Sequence, residues 1–142
     1  MLKIRPEQMA AFQAVAETAF IKRVAAYLRE GHAEAEIRLP SGSFQLGQIP
    51  DETLIAMVKR GVAKAREYGM RQESALSAYV VLMVETAPNF DAHPLIRHLL
   101  KDEQTPPDGR LERLLQIISE QNWEAVKENS DAAAWGTEAE EK

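Results

Sequence analysis

Apolar residues recur every three to four positions along most of this chain. Across 51–91, Leu54, Ile55, Val58, Val62 and Ala65 make one such stripe, and Leu76, Tyr79, Val80, Met83 and Val84 make a second. That period is helical. Between the stripes stands Tyr68-Gly69-Met70. Glycine reaches the left-handed conformation that closes a helix without a Cβ penalty, and an apolar residue directly after it folds back onto the last turn. The pattern predicts a helical hairpin with Gly69 at its corner, and the rest of the chain is arranged around it.

Upstream, Pro6 suits the first position of a helix. Met9, Phe12, Ala16, Phe20, Val24, Tyr27 and Leu28 then mark a long first helix that Gly31 ends. The pattern weakens over 33–49. Ala33-Glu34-Ala35-Glu36 suits a short helix, Pro40-Ser41-Gly42-Ser43 a turn, and Phe44, Leu46 and Ile49 a short extended piece. Such a segment either pins apolar residues onto the helices or serves as a binding loop, since exposed loops carry function. Packing is the plainer expectation.

Pro50, Asp51 and Glu52 start the hairpin, with negative charge where the helix dipole favours it. Pro88 closes it, and Asn89-Phe90-Asp91-Ala92-His93-Pro94 reads as a turn anchored by Phe90. Leu95, Ile96, Leu99 and Leu100 predict a short helix. Residues 102–109, with Pro106 and Pro107, read as a linker. Leu111, Leu114, Leu115, Ile118 and Val126 give the face of one last helix. From 129 the composition turns to Ala, Glu and Gly around a lone Trp135, the signature of a disordered acidic tail. The expected fold is all-α: a compact bundle of about five or six helices in one domain over 1–128, followed by a tail over 129–142.

Composition narrows the function. A chain of 142 residues is one domain's worth, with a hydrophobic share of 45% and a charged share of 27% that suit a globular core. Its net charge of -5 argues against nucleic acid, which needs a basic face. Most of the acid lies late. Residues 102–142 hold four Lys/Arg against eleven Asp/Glu, a net of -7, which reads as a solubilising surface. The absence of cysteine removes disulfides, thiol nucleophiles and thiolate metal sites. Met1-Leu2-Lys3-Ile4-Arg5-Pro6 lacks a signal-peptide pattern, and no apolar run nears the roughly 18 residues that span a bilayer. The expectation is a cytoplasmic protein without a membrane partner.

Candidate chemistry is sparse. Asp91, His93 and His98 resemble a ligand set, but the histidines are five apart and one helix face needs three or four. In the plainer reading Asp91 bonds backbone N–H groups of its turn, and His98 lies on the polar side of its helix. Asp51-Glu52 and Asp102-Glu103 stand at loop–helix junctions, where capping explains them better than acid–base catalysis. Ser41-Gly42-Ser43 lacks the lysine and glycines of a phosphate loop. Neither an enzyme nor a cofactor is expected. Phe44, Leu46 and Trp135 fall in segments with no periodic face to hide them, which makes them the candidate partner-binding residues.

Ile4-Arg5-Pro6-Glu7-Gln8-Met9, the Tyr68-Gly69-Met70 corner with Glu73 after it, Tyr79-Val80-Val81-Leu82-Met83 and Phe90-Asp91-x-His93-Pro94 are a recognisable set. Over about 1–115 the chain resembles a family of small helical proteins encoded in bacterial type VI secretion gene clusters. Its neighbours there are spike-tip proteins of the VgrG and PAAR types, effectors and effector adaptors. The resemblance implies structural roles for Tyr68, Gly69, Tyr79, Phe90 and Asp91. It also implies a non-enzymatic accessory protein, an adaptor or chaperone, that holds an effector or spike component. The alternative is an immunity protein that blocks a co-encoded toxin, for which the acidic end supplies a surface. Two departures stand out: Arg71 and Gln72 occupy the place of the family's Ser or Thr cap, and the 35–49 segment is long.

Overall fold

The computed structural model describes residues 6–136 and, along most of the first helix, side chains only from Val15 onward. The expected all-α fold is what it shows. The helices are α1 (Pro6–Gly31), α2 (Asp51–Glu67), α3 (Glu73–Glu85), α4 (Pro94–Leu100), α5 (Arg110–Ile117) and α6 (Glu120–Glu128). Among the described residues no helix is long and apolar enough to cross a membrane. Met9 and Phe12 of the predicted first stripe lie outside the described side chains. From Phe20 onward that stripe packs, with Phe20, Val24 and Leu28 in the core and Tyr27 left 56% exposed.

α2 and α3 form the predicted hairpin and approach closely because Gly61 lets them. A Cβ at Gly61 would stand 2.8 Å from Val80 Cγ2 and 3.0 Å from Met83 Sδ. Their facing residues Leu54, Val58, Val62, Leu76, Val80 and Met83 fill the centre of the core. Three arginines then strap α1 across them. Arg23 meets Glu73, Arg66 holds Glu17 through two bonds of 2.7 and 2.6 Å, and Arg29 reaches Asp51 at 2.7 Å and the Ile49 carbonyl at 2.6 Å. Ion pairs this exposed position a helix more than they stabilise it.

The 33–49 segment differs from expectation. Residues 33–36 form no helix; instead β1 (Glu36–Leu39) pairs antiparallel with β2 (Gly42–Gln45). The Ala33 and Ala35 carbonyls accept from Gly47 and Leu46, so this backbone is engaged across the loop rather than along itself. Ile37 and Leu39 alternate inward between exposed Glu36 and Arg38, the period of a half-buried strand. The extended piece predicted near Phe44 is β2, followed by a 3-10 turn, Leu46–Gln48.

The predicted last helix is two. At Ile118 the backbone leaves the helix (φ -70°, ψ 127°) and turns its side chain inward, and the Ser119 hydroxyl accepts the Asn122 N–H to start α6. Leu115, counted on the apolar face, is exposed. Nor does order end at 129. The Asn89 side chain donates to the Asn129 carbonyl and accepts the Asp131 N–H, and a 3-10 turn, Ala132–Trp135, follows. Only 137–142 of the expected tail fall outside the described residues.

Candidate functional site

The corner closes as its sequence predicts. Gly69 has φ +92°. Its N–H donates to the Arg66 carbonyl at 2.9 Å, and the Met70 N–H donates back to Ala65 at 3.1 Å. Met70 and Ala65 are both buried, the apolar contact that accompanies this closure. The backbone N–H groups at the start of α3, where Gln72 gives no side-chain cap, are held from far along the chain. Asp108 Oδ1 accepts the Arg71 and Gln72 N–H groups at 2.7 and 3.1 Å, and Pro107 lies against Gly69. Arg110 donates to the carbonyls of Tyr68, Leu100, Asp102 and Thr105, satisfying the ends of α2 and α4 together. The predicted linker is therefore a clasp on the corner.

Beneath the corner lies a polar centre. Asp91 is the one buried charged residue among those described, on a 3-10 turn, Phe90–Ala92. Its carboxylate accepts from Lys64 Nζ at 2.8 Å and from the Tyr68 hydroxyl at 2.7 Å, and Lys64 also donates to the Pro88 carbonyl. Asp91 thus bonds the side chains of Lys64 on α2 and of Tyr68 just after it rather than the backbone of its own turn, correcting the sequence reading. Lys64 was not singled out, although it stands four residues before Tyr68 and so shares its helix face. Tyr79 packs between Tyr68 and Phe90, with ring centroids 6.1 and 4.8 Å away, and its buried hydroxyl finds no partner among the described residues. Both tyrosine hydroxyls are held well above their ordinary pKa. Burial is the main cause; next come the hydrogen bond to Asp91 for Tyr68 and the Asp91 charge for Tyr79. Chemically this centre is saturated: the cation, the carboxylate and one phenol are spent on one another.

The other candidates disperse. His93 Nδ1 accepts the Leu95 N–H and caps α4, while His98 is exposed. Asp102 is held below the usual carboxylate range, chiefly by the Gln104 N–H, and caps its own turn. Asp51 pairs with Arg29. No group of three possible metal ligands forms among the described residues. Leu46 and Trp135 lie in the core, Trp135 only 2% exposed, so neither presents a surface to a partner. Trp135 is buried because Asn89 ties down the chain before it. Phe44, half-buried, stays at the surface.

What the sequence did not single out is the outward side of α3. From Ser74 to Val84 this helix carries no charge, and Ser77, Ala78, Val81 and Leu82 remain half-buried there. A helix apolar all round is normally covered on every side. Between α1 and α3 runs a groove of 310 Å³, lined by Phe20, Val24, Tyr27, Ser74 and Ser77 and crossed by the Arg23–Glu73 pair. No protein-family model, curated protein or solved structure matches the chain.

Proposed function

We propose that this chain is a non-enzymatic protein-binding module whose partner lays a helix along the α1–α3 groove. The observation that carries the reading is the uncharged, half-covered outward face of α3 beside the exposed Tyr27 ring. A groove between two helices with an apolar floor and a charged crossing pair suits an amphipathic helix. Aromatic residues such as Tyr27 anchor such contacts. The non-enzymatic part is supported by the polar centre, where each strong group except the Tyr79 hydroxyl is satisfied internally. The type VI secretion resemblance makes an effector or spike component the partner to test first, with the chain as its adaptor or chaperone.

The test is co-purification of the full chain with neighbouring secretion-cluster products, comparing the native chain with Tyr27→Lys. Recovery of an effector or spike protein by the native chain, at least tenfold reduced for Tyr27→Lys, supports the reading. Equal recovery by both removes the groove from it, and turnover of a substrate by the purified chain removes the non-enzymatic part.

A further inference from the structure

The β1–β2 hairpin finishes its two outer edges differently. The Leu46 N–H donates to Ala35 at 2.9 Å, one step beyond the Glu36–Gln45 pair of the register. Hydrogen-bonded and non-hydrogen-bonded pairs alternate in an antiparallel ladder. The next bonded pairs are therefore Ile37–Phe44 and Leu39–Gly42. The backbone N–H and C=O of Glu36 and Arg38 accordingly point outward from β1, and those of Ser43 and Gln45 outward from β2. On β2 the Gln48 side chain folds back and accepts the Gln45 N–H at 3.1 Å. On β1 no hydrogen bond from a described residue reaches the outward groups of Glu36 or Arg38.

That open edge borders a groove of 230 Å³. Residues 35–38 line it consecutively, and because strand side chains alternate, successive residues share one groove only along the strand's edge. Lys127 also lines it, together with the almost wholly buried Met83, Val84 and Trp135. The charges around it are unequal in what they already hold. Glu36 pairs with Arg38 and Glu85 with His32, whereas Lys127 has no ion-pair partner among the described residues.

We propose that the outer edge of β1 takes up an extended peptide segment of a partner protein as a third strand. Donors and acceptors alternating along an extended backbone are matched by another extended backbone. Lys127 selects an Asp or Glu of the incoming segment close to it. The exposed charges of Glu36 and Arg38 keep the edge from pairing indiscriminately. None of these residues lines the α1–α3 groove, so this inference stands or falls separately from the helix-binding reading.

The experiment selects short random peptides from a displayed library on the full chain. It then measures the selected peptides on Arg38→Pro and Arg38→Ala and follows amide hydrogen exchange. Proline at 38 removes an outward N–H and leaves the β1–β2 ladder intact, whereas alanine removes only the side chain. Strand addition gives at least tenfold weaker binding to Arg38→Pro and near-native binding to Arg38→Ala. It also slows exchange at the Glu36 and Arg38 amides at least tenfold in the native chain, and selects an acidic residue whose preference Lys127→Glu reverses. Tyr27→Lys leaves peptide binding unchanged. Failure to select any peptide, equal binding to the proline and alanine variants, or unprotected Glu36 and Arg38 amides in the native complex overturns the proposal. The exchange result decides even where Arg38→Pro loses its hairpin.

Discussion

The corner of the α2–α3 hairpin and the outward face of α3 belong to the same helix pair, yet they are finished in opposite ways. At the corner, backbone ends, a charged pair and a glycine are each held by residues from elsewhere in the chain. Along α3, uncharged side chains run to the surface and are only half-buried among the described residues. Tyr68, Gly69 and Asp91 stand at the first place, Val81 and Leu82 at the second. The surface we propose for a partner is the second. Internal closure thus marks the frame, and the proposed working face lies where closure stops.

Substitutions separate the two regions by size of effect. Asp91→Ala strands the Lys64 ammonium in a site only 15% exposed and should cost on the order of 3 kcal/mol in denaturant unfolding. A loss under about 1 kcal/mol would make the pair ornamental. Gly69→Val forces a branched residue into the left-handed region and against Pro107, whose Cγ would lie 3.1 Å from the new Cβ. A loss of about 2 kcal/mol is expected, and an unchanged melting temperature would contradict the corner geometry. Asp108→Ala removes the distant cap, for about 1 kcal/mol.

The tyrosines give a pH test with a definite sign. Both hold their protons above the ordinary value of 10.0, so above that pH the unfolded chain releases protons that the folded chain keeps. Their contribution is intact below pH 10.0 and drains away as pH rises past it. Tyr79→Phe deletes an unpartnered hydroxyl, so stability at neutral pH should hold or rise slightly while the alkaline decline becomes shallower. A decline as steep as in the native chain would take Tyr79 out of that account. Smallest of all, Tyr27→Lys should change stability by less than about 0.5 kcal/mol. A larger fall in melting temperature would mean the open face is part of the frame.

Legibility in the sequence followed distance along the chain. Gly69 was readable because its closure involves only Ala65, Arg66 and Met70. Asp108 and Arg110 were not, because the corner groups they hold lie 36 to 42 positions away. Trp135 was misread for the same reason: Asn89, which anchors its segment, stands 42 positions from Asp131. Two errors had local remedies. Ile37-Arg38-Leu39 alternates as a strand does, but the Ala-Glu composition before it suggested a helix. Ser119 ahead of Glu120 is an ordinary helix-start signal that the apolar period overrode. The α1–α3 groove had no signature in the sequence, since an uncharged helix looks the same whether or not its last side is covered.

The clasp sets an order of events during synthesis. Asp108 leaves the ribosome 37 residues after Arg71, whose N–H it accepts. At ordinary elongation rates that interval is roughly 2 to 7 seconds. Once Glu85 has emerged, the nascent hairpin has both helices and its glycine corner, but no cap and no arginine across its carbonyls. A chain halted with only the residues before Pro106 outside the ribosome would therefore display the whole hairpin in unlatched form.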